Sequence, residues 1–86
     1  MLRRSARKEI LALPSKIGDQ VEHAIDRLLT AFQQGQRPQD IKPLGGRSHT
    51  FRVDTGEYRI LFMIDEGAKL ITIFRVRHRK DAYRNL

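Results

Sequence analysis

Two apolar runs near the end of the chain, separated by a turn-forming segment, constrain the fold most strongly. The runs are Tyr58–Ile64 and Leu70–Val76, and Glu66-Gly67 lies between them. Short runs rich in β-branched and aromatic residues and separated by a glycine-containing turn predict an antiparallel β-hairpin. The second run ends in a cluster of basic residues, which predicts that the end of this hairpin meets an anionic partner.

A third strand is predicted immediately before the hairpin. Phe51–Asp54 alternates apolar and charged residues, and Thr55-Gly56 then makes a tight turn into a strand over Tyr58–Asp65. The last strand is predicted over Leu70–Arg77. These three segments therefore predict an antiparallel meander.

The N-terminal part of the chain predicts a helical hairpin. Ser5 is a candidate cap for a first helix that Pro14 ends, and Ser15 is a candidate cap for a second helix that ends near Gly35. Both segments carry apolar residues at helical spacing, so each is expected to bury one face. These residues are Ala6, Ile10, Leu11 and Leu13 in the first helix, and Ile17, Val21, Ala24, Ile25, Leu28, Leu29 and Phe32 in the second.

The predicted fold is a single α+β domain over residues 1–86, with the helical hairpin packed on the antiparallel meander. The segment Gln36–Ser48, with two prolines and a Gly-Gly pair, is expected to be a connecting loop. Residues Lys80 to Leu86 are expected to form a short C-terminal helix or tail.

Side-chain alternation predicts which strand residues face the helices, because successive residues point to opposite faces of a sheet. The mainly apolar set of each strand is expected to pack on the helices. The charged set would then gather on the opposite face, which we call the open face. The apolar set is Phe51, Val53, Tyr58, Ile60, Phe62, Ile64, Leu70, Thr72, Phe74 and Val76, and the open-face set is Arg52, Asp54, Arg59, Arg75 and Arg77.

The charge of the chain indicates an anionic partner. The formal net charge is +7 and the pI is about 10.6, which favours binding to nucleic acid, a ribosomal surface or an acidic protein. A solvated basic surface is the simpler alternative, but the basic residues near the end of the chain are clustered and only Asp81 opposes them. The cluster is Arg75, Arg77, Arg79, Lys80 and Arg84.

Metal sites, cofactors, membrane spans and secretion signals are not expected. The chain has no cysteine, and His23, His49 and His78 are far apart, so neither a metal site nor a cofactor is expected. No apolar run approaches the ~20 residues that span a bilayer. The first residues lack the apolar core of a secretion signal. A cytoplasmic protein that does not enter the membrane is therefore expected.

Arginine and tyrosine near the cluster suggest RNA chemistry. Arginine holds phosphate through bidentate hydrogen bonds, and an aromatic ring at the edge of such a patch stacks on an unpaired base. Arg52, Arg59, Arg79 and Tyr83 could thus hold a phosphodiester and a neighbouring base, where the RNA 2′-hydroxyl is an internal nucleophile. The alternatives are a solvated edge for the arginines and a packing role for Tyr83. His78 is expected to be structural if the last strand includes it, and a candidate proton donor if the strand ends before it.

Taken in order, four segments resemble the RelE/ParE superfamily of bacterial toxins. They are SARKEILALP at Ser5–Pro14, LGG at Leu44–Gly46, FRVDTGEYRILFMID at Phe51–Asp65 and VRHRKDAY at Val76–Tyr83. The resemblance implies a metal-independent, ribosome-dependent endoribonuclease that cleaves mRNA and is neutralised by a RelB-like antitoxin. A heterotetramer with that antitoxin is one expected assembly.

The resemblance also implies roles for individual residues. Arg59 matches the arginine that binds the scissile phosphate, and Arg79 matches the one assigned to phosphate stabilisation and leaving-group protonation. Tyr83 matches the tyrosine that stacks on the substrate base. Additional RNA-binding charge is expected from Arg52, Arg75, Arg77 and Lys80.

Two departures from the family pattern leave alternatives open. Asp54 stands where well-known RelE members have a second catalytic lysine, so it would repel phosphate unless it pairs with Arg52 or Arg59 or acts as a proton acceptor. ParE-like inhibition of DNA gyrase and a non-catalytic binding module are therefore the alternative functions. The family usually begins with a β-strand, but only Met1–Arg4 precedes the first helix here, which predicts a very short strand or an uncovered sheet edge.

The antitoxin is expected on the open face. Apolar residues between the arginines would suit an amphipathic acidic helix or strand. The apolar residues expected to be exposed there are Leu61, Met63, Ile71 and Ile73.

Overall fold

Two helices pack against one face of a four-stranded antiparallel sheet in the computed structural model, which describes residues 1–37 and 40–81. The order of the strands across the sheet is β1-β2-β3-β4, so the α+β prediction is confirmed. The elements are α1 Arg4–Leu11, α2 Ser15–Gln33, β1 Lys42–Pro43, β2 Thr50–Thr55, β3 Tyr58–Asp65 and β4 Leu70–His78.

Neither serine caps its helix as predicted. Arg3 and Pro14 are the N-cap residues, both in extended conformations, and neither cap makes a side-chain hydrogen bond. Ser5 lies inside α1, and its hydroxyl donates to the carbonyl oxygen of Phe74 at 3.2 Å. The Ser5 hydroxyl, which was predicted to cap α1, therefore binds β4 instead.

The hydrophobic core lies between the two helices and the sheet. The helical stripe of α2 is buried as predicted, with Val21 and Leu28 at 0% and 3% exposure. In α1 the buried residues are Ala6 and Ile10, whereas Leu11 is 75% exposed, contrary to the prediction. The strands contribute Val53, Ile60, Phe62, Ile64, Ile71, Ile73 and Val76 to the same core.

A β-bulge in the hairpin reverses the predicted faces of the first half of β4. Leu61 pairs with Arg75, but Phe62 pairs with Ile73, so Phe74 is the extra residue. One inserted residue moves every side chain beyond it to the other face. Ile71 and Ile73 consequently face the helices at 3% and 1% exposure. The predicted placement of Leu70, Thr72 and Phe74 on the helix face is therefore wrong.

The first residues of the chain pair with the outer edge of β4. Leu2 forms a parallel bridge with Ile73. The Arg3 N–H donates to the Ile73 carbonyl at 2.9 Å, and the Ile73 N–H donates to the Met1 carbonyl at 2.8 Å. The first strand of the family pattern is thus reduced to one bridge, and the sheet edge is covered.

The segment predicted as a loop over Gln36–Ser48 contains β1, a strand of two residues paired with β2 through Lys42 and Arg52. The predicted C-terminal helix or tail lies outside the described residues beyond Asp81. None of the helices in the described ranges combines the length and the apolar character needed to cross a bilayer.

Candidate functional site: a charged face of the sheet

Two cross-strand rows bring the charged residues together on the open face. Asp54, Arg59 and Arg77 occupy one row through the pairs Asp54↔Arg59 and Arg59↔Arg77. Arg52 and Arg75 flank Leu61 in the neighbouring row. The hairpin register places these residues side by side, because directly opposed residues of antiparallel strands lie on the same face.

Asp54 is paired with two arginines, Arg52 on its own strand and Arg59 on the neighbouring strand. Its Oδ1 lies 3.0 Å from Arg59 Nε, within hydrogen-bond distance, and 3.6 Å from an Nη of Arg52. The side chains of Arg59 and Arg52 are only 20% and 24% exposed, whereas that of Asp54 is 44% exposed. The pairing of Asp54 with Arg52 or Arg59, which the sequence left open, is thus found with both arginines.

Arg77 is paired with a carboxylate from α1. Its Nε donates to Glu9 Oε2 at 2.7 Å, and the other Glu9 oxygen accepts from the Val76 N–H at 2.8 Å. Glu9 therefore neutralises one open-face arginine and satisfies an edge N–H of β4 with the same carboxylate.

Arg79 lies just past the end of β4 and is held by Glu57. Its backbone N–H donates to the Glu57 carbonyl at 2.8 Å, and its Nε lies 3.1 Å from Glu57 Oε2. Both side chains are exposed, at 58% and 61%. This pair continues the β3–β4 ladder beyond Tyr58↔His78.

His78 belongs to β4 and packs on Tyr58. The two rings meet edge to face with centroids 5.4 Å apart. The Lys80 N–H donates to His78 Nδ1 at 3.2 Å. β4 thus includes His78. For a strand that includes this residue, the sequence predicts a structural role and not proton donation.

The open face is therefore a set of ion pairs and not a bare cationic patch. Four arginines that the sequence assigned to phosphate or RNA are each within 4.0 Å of a carboxylate. Among these pairs only Arg79–Glu57 has two largely exposed side chains, at 58% and 61%. An exposed pair contributes only about 0–1 kcal/mol, so a phosphate can exchange with the Glu57 carboxylate at small cost. The arginines are Arg52, Arg59, Arg77 and Arg79.

Sequence reasoning singled out Asp54 but missed the other two carboxylates, Glu9 and Glu57. The two-residue turn at Gly56-Glu57 sets the register of the β2–β3 hairpin. That register places Asp54 opposite Arg59 and brings Glu57 beside Arg79. Glu9 reaches β4 from a helix, and no spacing in the sequence predicts such a contact.

The apolar residues expected to be exposed between the arginines are mostly buried. Leu61 has 0% exposure although it points away from the helices, and Ile71 and Ile73 face the core. Met63 is half-buried, and Leu70, at 41% exposure, lies near it. Both line a groove of about 600 Å³ beside the β3–β4 turn, which replaces the predicted apolar strip.

The remaining predicted residues divide as follows. Arg75 is half-buried in the row beside Leu61, and Lys80 is exposed next to Arg79. Tyr83 lies outside the described residues. Within residues 1–37 and 40–81, no group of three His, Asp or Glu side chains is arranged to hold a metal ion.

Several solved structures of RelE toxins are similar to this chain. A RelB-RelE antitoxin-toxin complex from Methanococcus jannaschii matches with a TM-score of 0.75 and 23% identity, over 96% of this chain and 94% of that one. The toxin-antitoxin complex RelBE2 from Mycobacterium tuberculosis matches with a TM-score of 0.70 and 32% identity, over 92% and 94%. The isolated E. coli RelE toxin matches with a TM-score of 0.71 and 16% identity, over 90% and 79%.

The shared fold, together with 32% identity to the RelBE2 structure over 92% of this chain, therefore defines a toxin of the RelE/ParE superfamily. A family model described as "ParE toxin of type II toxin-antitoxin system, parDE" matches residues 1–83, so the chain belongs to this family of type II toxin-antitoxin toxins. No curated protein sequence matched the chain.

Proposed function

We propose that this toxin is a metal-independent endoribonuclease that cleaves mRNA on the ribosome. The observation that carries the proposal is the row of Arg59 and Arg77 on the open face, with Arg79 directly beyond it. Guanidinium groups on adjacent strands offer bidentate hydrogen bonds to successive oxygens of one phosphodiester.

The chemistry needs alignment and charge stabilisation more than a strong nucleophile. The RNA 2′-oxygen attacks the adjacent phosphorus, the bond to the 5′-oxygen breaks, and a 2′,3′-cyclic phosphate and a 5′-hydroxyl result. Arg59 binds the phosphate whose negative charge grows during attack, and Arg79 stabilises the leaving 5′-oxygen, which takes up a proton from water. Asp54, with its carboxylate exposed beside Arg59, is the candidate acceptor for the 2′-hydroxyl proton.

The ion pairs of the open face set a condition on this reaction. RNA phosphate must displace Asp54 from Arg59 and engage the guanidinium of Arg79 alongside Glu57. The Arg79–Glu57 pair is exposed and exchanges at small cost, whereas Arg59 is only 20% exposed, so contacts between ribosome-bound mRNA and the open face must supply the energy that separates Arg59 from Asp54.

The test is to add the antitoxin-free protein to a translating extract and map the 5′ ends of a reporter mRNA. We expect new ends in translated mRNA and none in the same mRNA without ribosomes. Arg59→Ala and Arg79→Ala should each reduce cleavage about 100-fold, the usual effect of removing a group that stabilises developing charge. Arg27→Ala, at an exposed position of α2, is the matched control. Cleavage that persists in Arg79→Ala would contradict the proposal.

Gyrase inhibition is the second candidate function. The Asp54–Arg59 pair and the ParE description of the matching family favour it, because Asp54 replaces a catalytic lysine of RelE members. A supercoiling assay with purified DNA gyrase distinguishes the two. Inhibited supercoiling with intact translated mRNA selects the gyrase inhibitor, whereas absence of both effects selects a binding module without either activity.

We also propose a RelB-like antitoxin as the partner. The structures from M. jannaschii and M. tuberculosis are antitoxin complexes, which supports this partner by similarity. The groove beside Met63 and Leu70 adjoins the cationic open face, so an acidic amphipathic segment would satisfy both surfaces. Co-expression with the neighbouring gene product should yield a complex whose affinity falls as salt rises. An affinity that is insensitive to salt would contradict the electrostatic part.

A further inference from the structure

Glu57 makes two contacts with Arg79, and they differ in kind. The Glu57 carbonyl accepts the Arg79 N–H at 2.8 Å and fixes the backbone beyond β4. The Glu57 carboxylate lies 3.1 Å from Arg79 Nε and fixes the side chain. A substitution of the Glu57 side chain therefore removes only the second contact.

The turn that carries Glu57 is itself well defined. Thr55 pairs with Tyr58, so Gly56 and Glu57 are the two loop residues of a tight hairpin turn. Gly56 has a φ of +58°, in the left-handed region that glycine adopts without strain. The carboxylate of Glu57 is thus presented from a short connection between two long strands.

The same carboxylate lies near a second nitrogen. Its Oε2 is 4.0 Å from His78 Nε2. His78 Nδ1 accepts the hydrogen bond from the Lys80 N–H, so Nε2 is the ring nitrogen on the side of Glu57. At 4.0 Å the His78 contact is beyond hydrogen-bond distance, so the short side-chain contact of Glu57 is the one with Arg79.

We infer that Glu57 is a positioning residue, which holds Arg79 by its Nε so that the Nη donors of the guanidinium face the scissile phosphate. Arginine presents donors on two edges, and a carboxylate that engages Nε leaves the end of the fork for a bidentate phosphate contact. This inference rests on the proposed ribonuclease function and adds to it the carboxylate that orients the Arg79 guanidinium. Arg79 needs such a group because it lies beyond the last residue pair of the β3–β4 ladder.

The test compares Glu57→Ala and Glu57→Gln with the wild type under single-turnover conditions on programmed ribosomes. We expect Glu57→Ala to lower the cleavage rate about tenfold with ribosome affinity unchanged, and Glu57→Gln to retain part of the rate because its amide oxygen still accepts from Nε. The double variant Glu57→Ala/Arg79→Ala should be no slower than Arg79→Ala, since a positioning effect acts only through Arg79. Glu22→Ala, an exposed glutamate on α2, is the control.

A cleavage rate of wild-type value in Glu57→Ala, or losses that multiply in the double variant, would overturn the inference. If the wild type does not cleave at all, the proposed function fails, and the inference is judged by NMR of the Arg79 Nε–H in the free protein. We then expect a distinct, slowly exchanging Nε–H signal in the wild type. In Glu57→Ala its chemical shift should move to that of solvent-exposed arginines. An unchanged signal in Glu57→Ala would also overturn the inference.

Discussion

Glu9 on α1 and Arg77 on β4 are joined by a hydrogen-bonded ion pair of 2.7 Å, and the second oxygen of Glu9 accepts the Val76 N–H at 2.8 Å. Their side chains are only 20% and 32% exposed. One carboxylate thus ties the first helix to the last strand and closes part of the outer edge of the sheet. Ser5, one helical turn earlier, contacts the same strand through the Phe74 carbonyl.

The first prediction concerns stability. Glu9→Ala should lower the free energy of unfolding by about 2–3 kcal/mol, because it leaves a partly buried N–H and a partly buried guanidinium without their acceptor. Glu9→Gln should cost less, about 1 kcal/mol, because its amide oxygen still accepts from Val76. Thermal unfolding measures this, at about 4–8 °C per kcal/mol for a domain of this size. Glu22→Ala on the exposed side of α2 should change the midpoint little, and equal midpoints for all three variants would contradict the prediction.

The second prediction concerns Asp54. Asp54→Lys should tighten RNA binding about fivefold, equivalent to about 1 kcal/mol, because it releases Arg52 and Arg59 from a carboxylate and adds a cation. The dependence of binding on salt should become steeper by about one unit for each cation that gains a phosphate. Filter binding with a single-stranded RNA at several salt concentrations measures both quantities.

Asp19→Lys is the matched control for that experiment, because it makes the same change of net charge at an exposed position of α2. If the two lysine variants bind RNA equally, net charge alone explains the effect and the pairing of Asp54 is irrelevant. A gain of mRNA cleavage in Asp54→Lys only would indicate that Asp54 weakens a ribonuclease.

The third prediction compares two leucines with opposite exposure. Leu61 is fully buried on the open face between two arginine positions, whereas Leu11 in α1 is 75% exposed. Leu61→Ala should cost about 2–5 kcal/mol, and Leu11→Ala should stay within about 0.5 kcal/mol. Urea unfolding with an unchanged m-value is the measurement. Similar midpoints for the two variants would show that Leu61 is not packed as described.

The fourth prediction uses proline to test the pairing of the first residues. Arg3 has a φ of −67°, which proline adopts, so Arg3→Pro removes the hydrogen bond to the Ile73 carbonyl without backbone strain. It should cost about 1 kcal/mol. Arg4→Pro removes the same charge at the first helical position, where the N–H has no intrahelical acceptor, and should be nearly neutral. If Arg4→Pro destabilises the protein as much as Arg3→Pro, the pairing with β4 contributes nothing.

The helices and the β2–β3–β4 meander could be predicted from the sequence because periodicity and turn residues act locally. Val21 and Leu28 mark the buried stripe of α2, and Gly56 marks a tight turn whose register brings Asp54 opposite Arg59. The same local rules predicted the collection of Arg52, Arg59 and Arg77 on one face.

What the sequence did not reveal depends on contacts between distant segments. The bulge at Phe74 allows Ile71 and Ile73 to pack on the helices. A prediction that assumes strict alternation of side chains along a strand does not include such an inserted residue. Glu9 pairs with Arg77 across 68 positions of the chain, which leaves no local pattern to read. The sequence therefore predicted the placement of the arginines and left open the pairing of Asp54 with Arg52 or Arg59, but it did not predict that Glu9 and Glu57 pair with Arg77 and Arg79.

The pairing of the first residues with β4 has a consequence for the order of synthesis. Residues 1–9 leave the ribosome early, but their partners, Ile73, Phe74 and Val76, emerge about seventy residues later. Until then the nascent chain lacks the strand that anchors α1 and also lacks Arg77 and Arg79. Assembly of the sheet edge and completion of the candidate site therefore both wait for the synthesis of β4, so a nascent chain that lacks β4 has neither a complete sheet nor a complete candidate site.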